Sequence, residues 1–337
     1  MKSKPFFCII ALMLYANLVA SASSISTIDA VHLVERALDT KHNIKHQTLS
    51  VEPSTYNNHP AYIVIGRSGQ DGFRSIVDAQ VARVMNIDRN GAAFFKWKGP
   101  KIVGHRGNVK FAPENTLPAF EAAIEYGCDL LEIDIRQTKD GELVIIHDST
   151  LDRTTNGSGP VSNYTLAELK KLDAGSWFSD EFKSVRIPTL REALQCMKGR
   201  ALPDLDFKAG DPAKLVKIIK EAGLLGKVTM HCGDWELLQQ TQTLTDKFLL
   251  RPGVPYGVVG LPTLLNKFDP PIVNIDWGQF SESLVREVHI AGRKSFVNTM
   301  QHDTQFGIEA MLDTAPDYIQ TDEIDLLVPL MRARGWK

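Results

Sequence analysis

Beyond Lys101, the chain alternates between two patterns of hydrophobic and polar positions. Short apolar runs predict strands, and segments with apolar residues every three or four positions predict amphipathic helices. Their repeated alternation indicates an α/β fold, in which helices cover a largely parallel sheet. The predicted strands are 101–105, 130–135, 143–147, 202–207, 227–231, 247–250, 272–275, 294–298 and 317–321. The predicted helices are 116–126, 189–197, 212–222, 235–243, 281–291 and 304–312.

The size of this region favours a closed barrel. Residues 99–337 number roughly 240, close to the ~250 residues of a (β/α)8 barrel of the TIM type. Nine predicted strands for eight barrel positions mean that one strand is extra or wrongly predicted. A doubly wound open sheet is the alternative, but no GxGxxG sequence opens the first helix.

The region 23–98 shows a different arrangement and predicts a small α+β domain. Helical spacing of apolar residues predicts a helix over 26–38, and apolar runs at 62–65 and 73–77 predict two strands. The order of these elements, and the Val77-Asp78-Ala79 end of the last strand, resemble a PepSY-like module. An unrelated α+β extension is the alternative.

The first 22 residues have the pattern of a secretory signal. Lys2 and Lys4 precede an apolar run of 14 residues from Phe6 to Val19, and Ala20-Ser21-Ala22 supplies the small residues of a cleavage site. The run is short for a membrane anchor, which needs ~20 apolar residues. We therefore expect an exported protein, periplasmic or secreted, with no permanent membrane span after cleavage. A retained anchor is the alternative.

Composition and charge exclude several classes of protein and of binding partner. The chain is 43% hydrophobic and 23% charged, which excludes collagen, a coiled coil and wholesale disorder. The formal net charge of −2 argues against a nucleic-acid partner, because phosphate backbones are bound by an excess of Lys and Arg. Cys128, Cys196 and Cys232 lack the CxxC spacing of a zinc or redox site. We expect them to act as small buried hydrophobes, with at most one bridge.

Two acidic residues stand out on the second predicted strand. Glu132 and Asp134 are two residues apart and share a face, and their neighbours on the strand are apolar. Two adjacent carboxylates facing a barrel interior repel each other strongly. A divalent cation relieves that repulsion, and oxygen ligands favour Mg²⁺ or Ca²⁺. A solvated pair on an edge strand is the alternative.

The next segment predicts a hairpin that distorts the barrel. Asp140-Gly141 is typical of a two-residue turn, which pairs Lys139 with Glu142. Counting back along both strands pairs Asp134 with His147. Directly opposed residues share a face, so this register predicts that His147 lies beside the metal.

Further charged residues gather at the predicted strand ends. The first strand ends at His105 and Arg106, and Asp206 and Lys208 share a face at the end of another. Asp206 would be a third carboxylate for the metal, while Arg106 and Lys208 would bind phosphate oxygens. With His105 and His147 exchanging protons, these residues predict a phosphoryl-transfer site.

The motifs resemble those of glycerophosphodiester phosphodiesterases. In chain order they are HRG, PENT, ExD and HD followed by LDRTTNG. The resemblance is continuous from Gly104 to Leu190 and continues more weakly through PDLDFK, FVNT and IQTD. It implies that His105 and His147 form the acid–base pair and that Glu132 and Asp134 bind the divalent metal.

The third metal ligand departs from the family pattern. The family commonly carries Glu-x-Lys at this strand, whereas this chain has Asp206 followed by Lys208. Related sphingomyelinase D-type enzymes of the same fold place Asp there, so the resemblance implies that Asp206 is the third ligand. Its shorter side chain requires the metal to lie closer to the strand or to accept a water.

The resemblance also implies an activity on a small-molecule substrate. The metal and Arg106 hold a glycerophosphodiester while one histidine deprotonates the nucleophile and the other protonates the leaving alcohol. The nucleophile is the glycerol 2-hydroxyl or water, and the products are glycerol 3-phosphate and an alcohol such as choline or ethanolamine. One alternative is a related enzyme acting on lysolipids or sphingolipids. Another is a binding module without turnover, against which the two histidines argue.

Other polar residues are expected to have lesser roles. Glu114 and Asn115 are expected to shape the first loop. His231 is expected to line the pocket or to have a structural role, and Trp277 to form an apolar wall for the alcohol or simply to pack in the core. Those that end late strands, and are therefore weaker site candidates, are Asn298 and Asp322. Those expected at the surface are His289 and His302.

Overall fold

The computed structural model describes residues 24–38, 46–56, 59–68, 71–89, 92–300 and 303–337. The predicted signal segment 1–22 and His302 lie outside these residues. The chain forms two compact units. Among these residues, the N-terminal unit comprises those up to Gly99 with Phe280–Lys294 and Asp313–Ala315, and the barrel unit comprises those within Pro100–Gln279, Ser295–Leu312 and Pro316–Lys337. Among the described helices, none has the length and apolar character of a transmembrane span.

In the N-terminal unit, the first helix of the chain packs against an antiparallel sheet. Helix α1 (Thr27–Leu38) packs on a five-stranded sheet whose strands follow chain order. The strands are β1 (His46–Tyr56), β2 (His59–Ser68), β3 (Asp71–Asp78), β4 (Arg83–Arg89) and β5 (Ala92–Lys96). The small α+β fold is confirmed, and β2 and β3 contain the two predicted strands. Sequence analysis missed β1 because polar residues and Pro53 interrupt its apolar pattern. The PepSY-like resemblance stays a prediction.

His289 corrects an expectation, because it is buried in the N-terminal unit. It lies on a helix whose Val285 and Val288 are also buried. Its Nδ1 is 2.8 Å from the Val81 carbonyl oxygen, and its Nε2 is 2.7 Å from an Arg83 guanidinium nitrogen. The ring therefore donates at one nitrogen and accepts at the other, which lets a neutral histidine be buried at low cost.

The barrel unit confirms the predicted (β/α)8 architecture. Its strands are β6 (Lys101–Gly104), β7 (Leu130–Gln137), β8 (Leu143–Ile145), β9 (Leu202–Phe207), β10 (Thr229–His231), β11 (Leu249–Leu250), β12 (Ile272–Asp276), β13 (Lys294–Asn298) and β14 (Tyr318–Thr321). The parallel strands lie in the order β11-β10-β9-β7-β6-β14-β13-β12. A parallel bridge between Gly253 and Asn274 connects the segment after β11 with β12.

The ninth strand is β8, which pairs antiparallel with β7 outside the ring of eight. The predicted hairpin is therefore present, but its register differs by one residue. Thr138 N–H donates to the Glu142 carbonyl at 2.9 Å, which makes a three-residue loop with Gly141 at φ 81°. Ile146 N–H donates to the Asp134 carbonyl at 3.0 Å. Asp134 is thus opposite Ile146, and the predicted pairing with His147 is wrong.

Helices follow the strands as the periodicity indicates. They are α2 (Leu117–Tyr126), α3 (Leu166–Leu169), α4 (Leu190–Met197), α5 (Pro212–Glu221), α6 (Trp235–Leu244), α7 (Leu261–Phe268), α8 (Glu282–Ile290), α9 (Gln305–Asp313) and α10 (Ile324–Ala333). Three of these were not predicted. Helix α3 has only four residues, α7 follows a glycine-rich short helix, and α10 contains Pro329. Thr116 caps α2, as expected for a threonine at this position.

A buried ion pair crosses the barrel interior below the strand ends. Two guanidinium nitrogens of Arg251 donate to the two oxygens of Asp204 at 2.7 and 2.6 Å, and both side chains are almost fully buried. Thr229 also donates to Asp204, and Arg251 donates to Asn274 at 2.7 Å. The guanidinium carbon lies 4.1 Å from the centre of the Phe296 ring. These contacts join β9, β10, β12 and β13 around one charge pair.

The ion pair generates a stability prediction. Arg251→Met leaves the Asp204 carboxylate buried without its cation, which should lower the free energy of unfolding by about 3–5 kcal/mol. Urea denaturation followed by circular dichroism measures this loss. Because Asp204→Leu removes the uncompensated charge, the double variant should be more stable than Arg251→Met alone. Simple addition of the two single losses would contradict this explanation.

Candidate active site

Three carboxylates meet at the carboxyl ends of neighbouring barrel strands. Asp134 on β7 is in register with Asp206 on β9, and Glu132 lies two residues before Asp134. Each of the three offers an oxygen atom, and these atoms all lie within 4.8 Å of one another. Glu132 and Asp134 are almost fully buried. The shorter side chain of Asp206 therefore still reaches the cluster.

The cluster has the properties of a divalent-metal site. Asp134 Oδ1 and Asp206 Oδ1 are buried and make no hydrogen bond. Burial and repulsion from Asp134 and Asp206 raise the pKa of Glu132 well above its usual range. Buried oxygens that accept no hydrogen bond, in a set containing only carboxylates, fit a hard cation such as Mg²⁺ or Ca²⁺.

Two cations flank the carboxylates. Lys208 Nζ lies 2.6 Å from Asp206 Oδ2 and 3.2 Å from Asp134 Oδ1. Burial alone would lower the pKa of Lys208, but these two carboxylates outweigh it and raise the pKa. Arg106 Nε lies 3.3 Å from Asp134 Oδ2. Lys208 is therefore charged, and both side chains lie directly against the carboxylate cluster.

A strained turn after β6 positions Arg106. Its backbone has φ 55°, and its N–H donates to Glu132 Oε2 at 3.0 Å. Gly107 follows at φ 91°, where an added Cβ would lie 2.7 Å from the Ala119 backbone. Only glycine fits there, because the backbones of the turn and α2 are in direct contact. The packing of α2 thus fixes the strained turn, and the turn directs a backbone N–H donor at the carboxylate cluster.

The first loop supports the same carboxylates from the other side. The side-chain amide of Asn115 donates to Asp134 Oδ2 at 2.7 Å, and the backbone N–H of Asn115 donates to the Arg106 carbonyl oxygen at 2.9 Å. Glu114 accepts from Arg106 at 3.0 Å. Glu114 and Asn115 therefore shape this loop as expected, and they also orient a cation and a predicted metal ligand. Sequence reasoning missed this second role.

Each predicted catalytic histidine has a carboxylate partner. His105 Nδ1 lies 2.8 Å from Asp322 Oδ1, and His147 Nδ1 lies 2.7 Å from Asp148 Oδ1. A carboxylate at Nδ1 keeps the proton on that nitrogen and leaves Nε2 for proton exchange with substrate. From the sequence, Asp322 is only a weaker site candidate, because its sole signal is its position at the end of a late strand. Asp148 could have been found from its position directly after His147.

A chain of ion pairs connects His147 with the first loop. Asp148 accepts from Arg153 Nε at 2.7 Å, and Arg153 donates through its two Nη atoms to Glu114, each at 2.7 Å. Glu114 contacts Arg106, which completes the connection to the carboxylate cluster. Hydrogen bonds from Arg153 hold the pKa of Asp148 far below its usual range. These charges, rather than strand pairing, link His147 to the cluster.

The remaining candidates have contacts of a structural kind. His231 is in register with Asp206, and its Nδ1 lies 3.2 Å from the Arg251 carbonyl oxygen. Burial lowers the pKa of His231, although Asp206 acts in the opposite direction. Asn298 accepts a hydrogen bond from the backbone of Met300. The three described cysteines are free: Cys128 and Cys232 are buried as expected, whereas Cys196 is only partly buried.

A (β/α)8 barrel with this set of carboxylates, cations and histidines defines a hydrolase of phosphoric diesters. Comparison with known proteins gives the family. The model of the glycerophosphoryl diester phosphodiesterase family matches residues 105–326. The chain belongs to this family.

Individual relatives agree with this assignment. A glycerophosphodiester phosphodiesterase of Caldanaerobacter subterraneus subsp. tengcongensis is 35% identical over 69% of this chain and 98% of its own. The crystal structure of an Agrobacterium tumefaciens glycerophosphodiester phosphodiesterase has a TM-score of 0.63 and 34% identity, covering 68% of this chain and 99% of that one. An Oleispira antarctica phosphodiesterase in complex with its product sn-glycerol-3-phosphate has a TM-score of 0.64 and 26% identity, covering 70% of this chain and 97% of that one.

The carboxylate cluster generates a prediction for metal binding. After EDTA treatment and dialysis, adding Mg²⁺ or Ca²⁺ at 100 times its dissociation constant should stabilise the protein by about 2.7 kcal/mol. Differential scanning fluorimetry should show this as a rise in the unfolding temperature. The rise should disappear in Asp206→Asn and persist in Asp246→Asn, whose carboxylate is exposed. An equal rise in both variants would place the ion elsewhere.

Proposed function

We propose that the chain is an exported, metal-dependent phosphodiesterase that hydrolyses glycerophosphodiesters to glycerol 3-phosphate and an alcohol. The carboxylate cluster of Glu132, Asp134 and Asp206, flanked by two cations, is the observation that carries the proposal. The names of the relatives and the product bound to the Oleispira antarctica enzyme support it. Export rests on the signal-like segment 1–22. Such an enzyme would recover phosphate and glycerol from lipid head groups.

The cluster would hold Mg²⁺ or Ca²⁺ and leave the cations for the substrate. When bound, the ion supplies electrostatic stabilisation of the negative charge on the phosphoryl oxygens. Arg106 and Lys208 bind the non-bridging oxygens and orient the phosphorus. The hydrogen bonds from Asn115 and from the Arg106 backbone keep the carboxylates fixed, so little reorganisation is needed during the reaction.

The two histidines move the protons. One accepts a proton at Nε2 from the nucleophile, which forms the new bond to phosphorus, while the other donates a proton from Nε2 to the departing alcohol oxygen. The nucleophile is water, which gives glycerol 3-phosphate directly, or the glycerol 2-hydroxyl, which expels the alcohol and forms a cyclic phosphate. In the second route, water then attacks phosphorus and breaks the bond to the 2-oxygen, which takes up a proton and leaves glycerol 3-phosphate. Asp322 and Asp148 stabilise the imidazolium form of His105 and His147, respectively, in the same geometry.

The histidine roles are tested by substitution. His105→Ala and His147→Ala should each lower kcat for glycerophosphocholine by about 10²–10⁴-fold, because each removes a general acid or base. Release of glycerol 3-phosphate, followed with and without EDTA, measures the effect. Asn298→Ala is the control, since Asn298 also ends a barrel strand but has no proposed catalytic role. Intact metal-dependent turnover in either histidine variant would overturn the assignment.

Exposed apolar side chains favour a second candidate activity, on lysolipids. Tyr256 and Val259 are each 84% exposed between β11 and α7, and Phe306, in the first turn of α9, is 82% exposed. Segments that follow a barrel strand, and the first turn of the helix after it, lie at the end that carries the carboxylate cluster. Apolar groups at this end would suit the acyl chain of an amphipathic phosphodiester.

Substrate comparison separates the two activities. If lysolipids are substrates, the double variant Tyr256→Ser/Val259→Ser should lose severalfold in kcat/KM for lysophosphatidylcholine and keep its activity on glycerophosphocholine. Leu244→Ser is the matched control, because Leu244 is 48% exposed at the far end of α6. Choline release measures both reactions. A wild-type protein that cleaves only glycerophosphocholine would exclude this candidate.

A further inference from the structure

A cavity of about 640 Å³ opens at the amino ends of the barrel strands. Its lining includes Lys101, Leu130 and Leu202, which begin β6, β7 and β9, and Lys227, which precedes β10. These four strands are neighbours in the barrel. The volume lies within the roughly 300–1,000 Å³ of small-molecule sites. Because the carboxylate cluster lies at the carboxyl ends of the strands, this cavity is separate from the candidate active site.

The inner wall of the cavity is aliphatic. The lining side chains of Leu194, Met197 and Ile218 are almost fully buried. Leu202 belongs to the same lining and is 39% exposed, so part of this apolar wall faces solvent. Among the described residues that line the cavity, none is aromatic. A nucleobase would find no ring to stack on, whereas a saturated alkyl chain would find an aliphatic surface.

The charged residues around the cavity are mostly basic. Five basic and two acidic residues line it. Both acidic residues are paired, since Asp129 lies 3.2 Å from Lys101 Nζ and Glu221 lies 2.6 Å from an Arg191 guanidinium nitrogen. The lining carboxylates therefore offer no unpaired charge that would repel an anion.

Two further lysines leave positive charge at the cavity without a counter-charge. Lys198 follows α4 and Lys227 precedes β10, and both are exposed. Within the described part of the chain, neither ammonium group forms an ion pair. The carboxyl end of α4 does not cancel this charge, because Arg200 donates to the Cys196 carbonyl oxygen and offsets the partial negative charge of the helix end. The cavity thus combines an aliphatic wall with a cationic edge.

We propose that this cavity binds a single-chain amphiphile with an anionic head group, either a carboxylate or a phosphate. The alkyl chain would lie against Met197 and Leu202, and the head group would meet Lys198 and Lys227. Fatty acids and alkyl phosphate esters share this chemistry. The inference goes beyond the proposed function and does not depend on it, because the cavity and the carboxylate cluster lie at opposite ends of the barrel strands.

The probes separate the head group from the chain. Decyl phosphate and decanoate have the two anionic head groups, decyltrimethylammonium has a cation on a similar chain, and hexanoate has a shorter chain. Isothermal titration calorimetry with monomeric ligands should show one site for each anionic decyl compound. Decyltrimethylammonium and hexanoate should bind at least about tenfold more weakly than decanoate, since one lacks the complementary charge and the other much of the apolar contact. The tighter of the two anions identifies the preferred source, a phosphate ester or a fatty acid.

Exposed residues of the lining provide the variants. Lys198→Glu/Lys227→Glu should raise Kd for both anionic decyl compounds at least about tenfold, because two attractive charges become repulsive. Lys198→Gln/Lys227→Gln should show a smaller rise. The matched control is Lys171→Glu/Lys183→Glu, which makes the same change of net charge at exposed lysines outside the lining and should leave Kd within twofold.

A third variant tests the space itself. Ala222 lines the cavity, is exposed, and follows α5 with right-handed helical backbone angles that any residue adopts. Ala222→Trp should therefore fold normally and, by occupying part of the cavity, weaken binding of decyl phosphate and decanoate alike.

Several outcomes would overturn the proposal. Equal affinity for decanoate and decyltrimethylammonium would show apolar adhesion without recognition of charge. Equal losses in the two Lys→Glu double variants would show an effect of net charge alone. Displacement of decyl phosphate by glycerol 3-phosphate would place the ligand at the catalytic end of the barrel, and failure of both anions to bind would leave the cavity without this ligand. Because every readout is binding, a protein without phosphodiesterase activity would still give a decisive result.

Discussion

The cost of burying negative charge governs the architecture of this barrel. Adjacent strands β7 and β9 direct four carboxylates into its interior, and an unpaired carboxylate in such a place is strongly destabilising. Asp204 is compensated by Arg251 within the protein. Glu132, Asp134 and Asp206 are compensated only in part, by Arg106 and Lys208. The unbalanced charge makes the upper layer suited to a cation, whereas the lower layer is balanced by its own ion pair.

Strand geometry places the charged groups at successive levels along the barrel axis. Along β9 and its continuation, every second residue points to the same side, so Asp204, Asp206 and Lys208 occupy successive heights. The lowest is an internal ion-pair partner, the middle one belongs to the carboxylate cluster, and the highest is a cation that contacts the cluster. A shift of one residue in the register of β9 would exchange these groups for Leu205 and Phe207, so the register is held by charge as well as by packing.

Local patterns predicted the elements of the barrel well and tertiary contacts poorly. Alternation of strands and helices, and the carboxylates at strand ends, depend on periods of two and of three to four residues, which the sequence displays directly. The predicted register of the hairpin was wrong because Gly141 adopts a left-handed conformation in a three-residue loop, whereas Asp140-Gly141 is compatible with a loop of two or three residues. Because the loop is one residue longer than predicted, Asp134 lies opposite Ile146 instead of His147. The prediction that His289 lies at the surface was wrong for a related reason, because its burial depends on partners 206 and 208 positions away.

The two histidines show why the composition of the site was easier to predict than its geometry. His105 is oriented by Asp322, which lies 217 positions away and reaches it because β14 pairs with β6. His147 is oriented by its neighbour in sequence, and a chain of ion pairs through Arg153 supplies the connection that strand pairing does not. Different structural routes thus give both rings the same Nδ1–carboxylate arrangement. Because the two histidines share this arrangement, the contact with a carboxylate does not distinguish a base from an acid in the proposed mechanism.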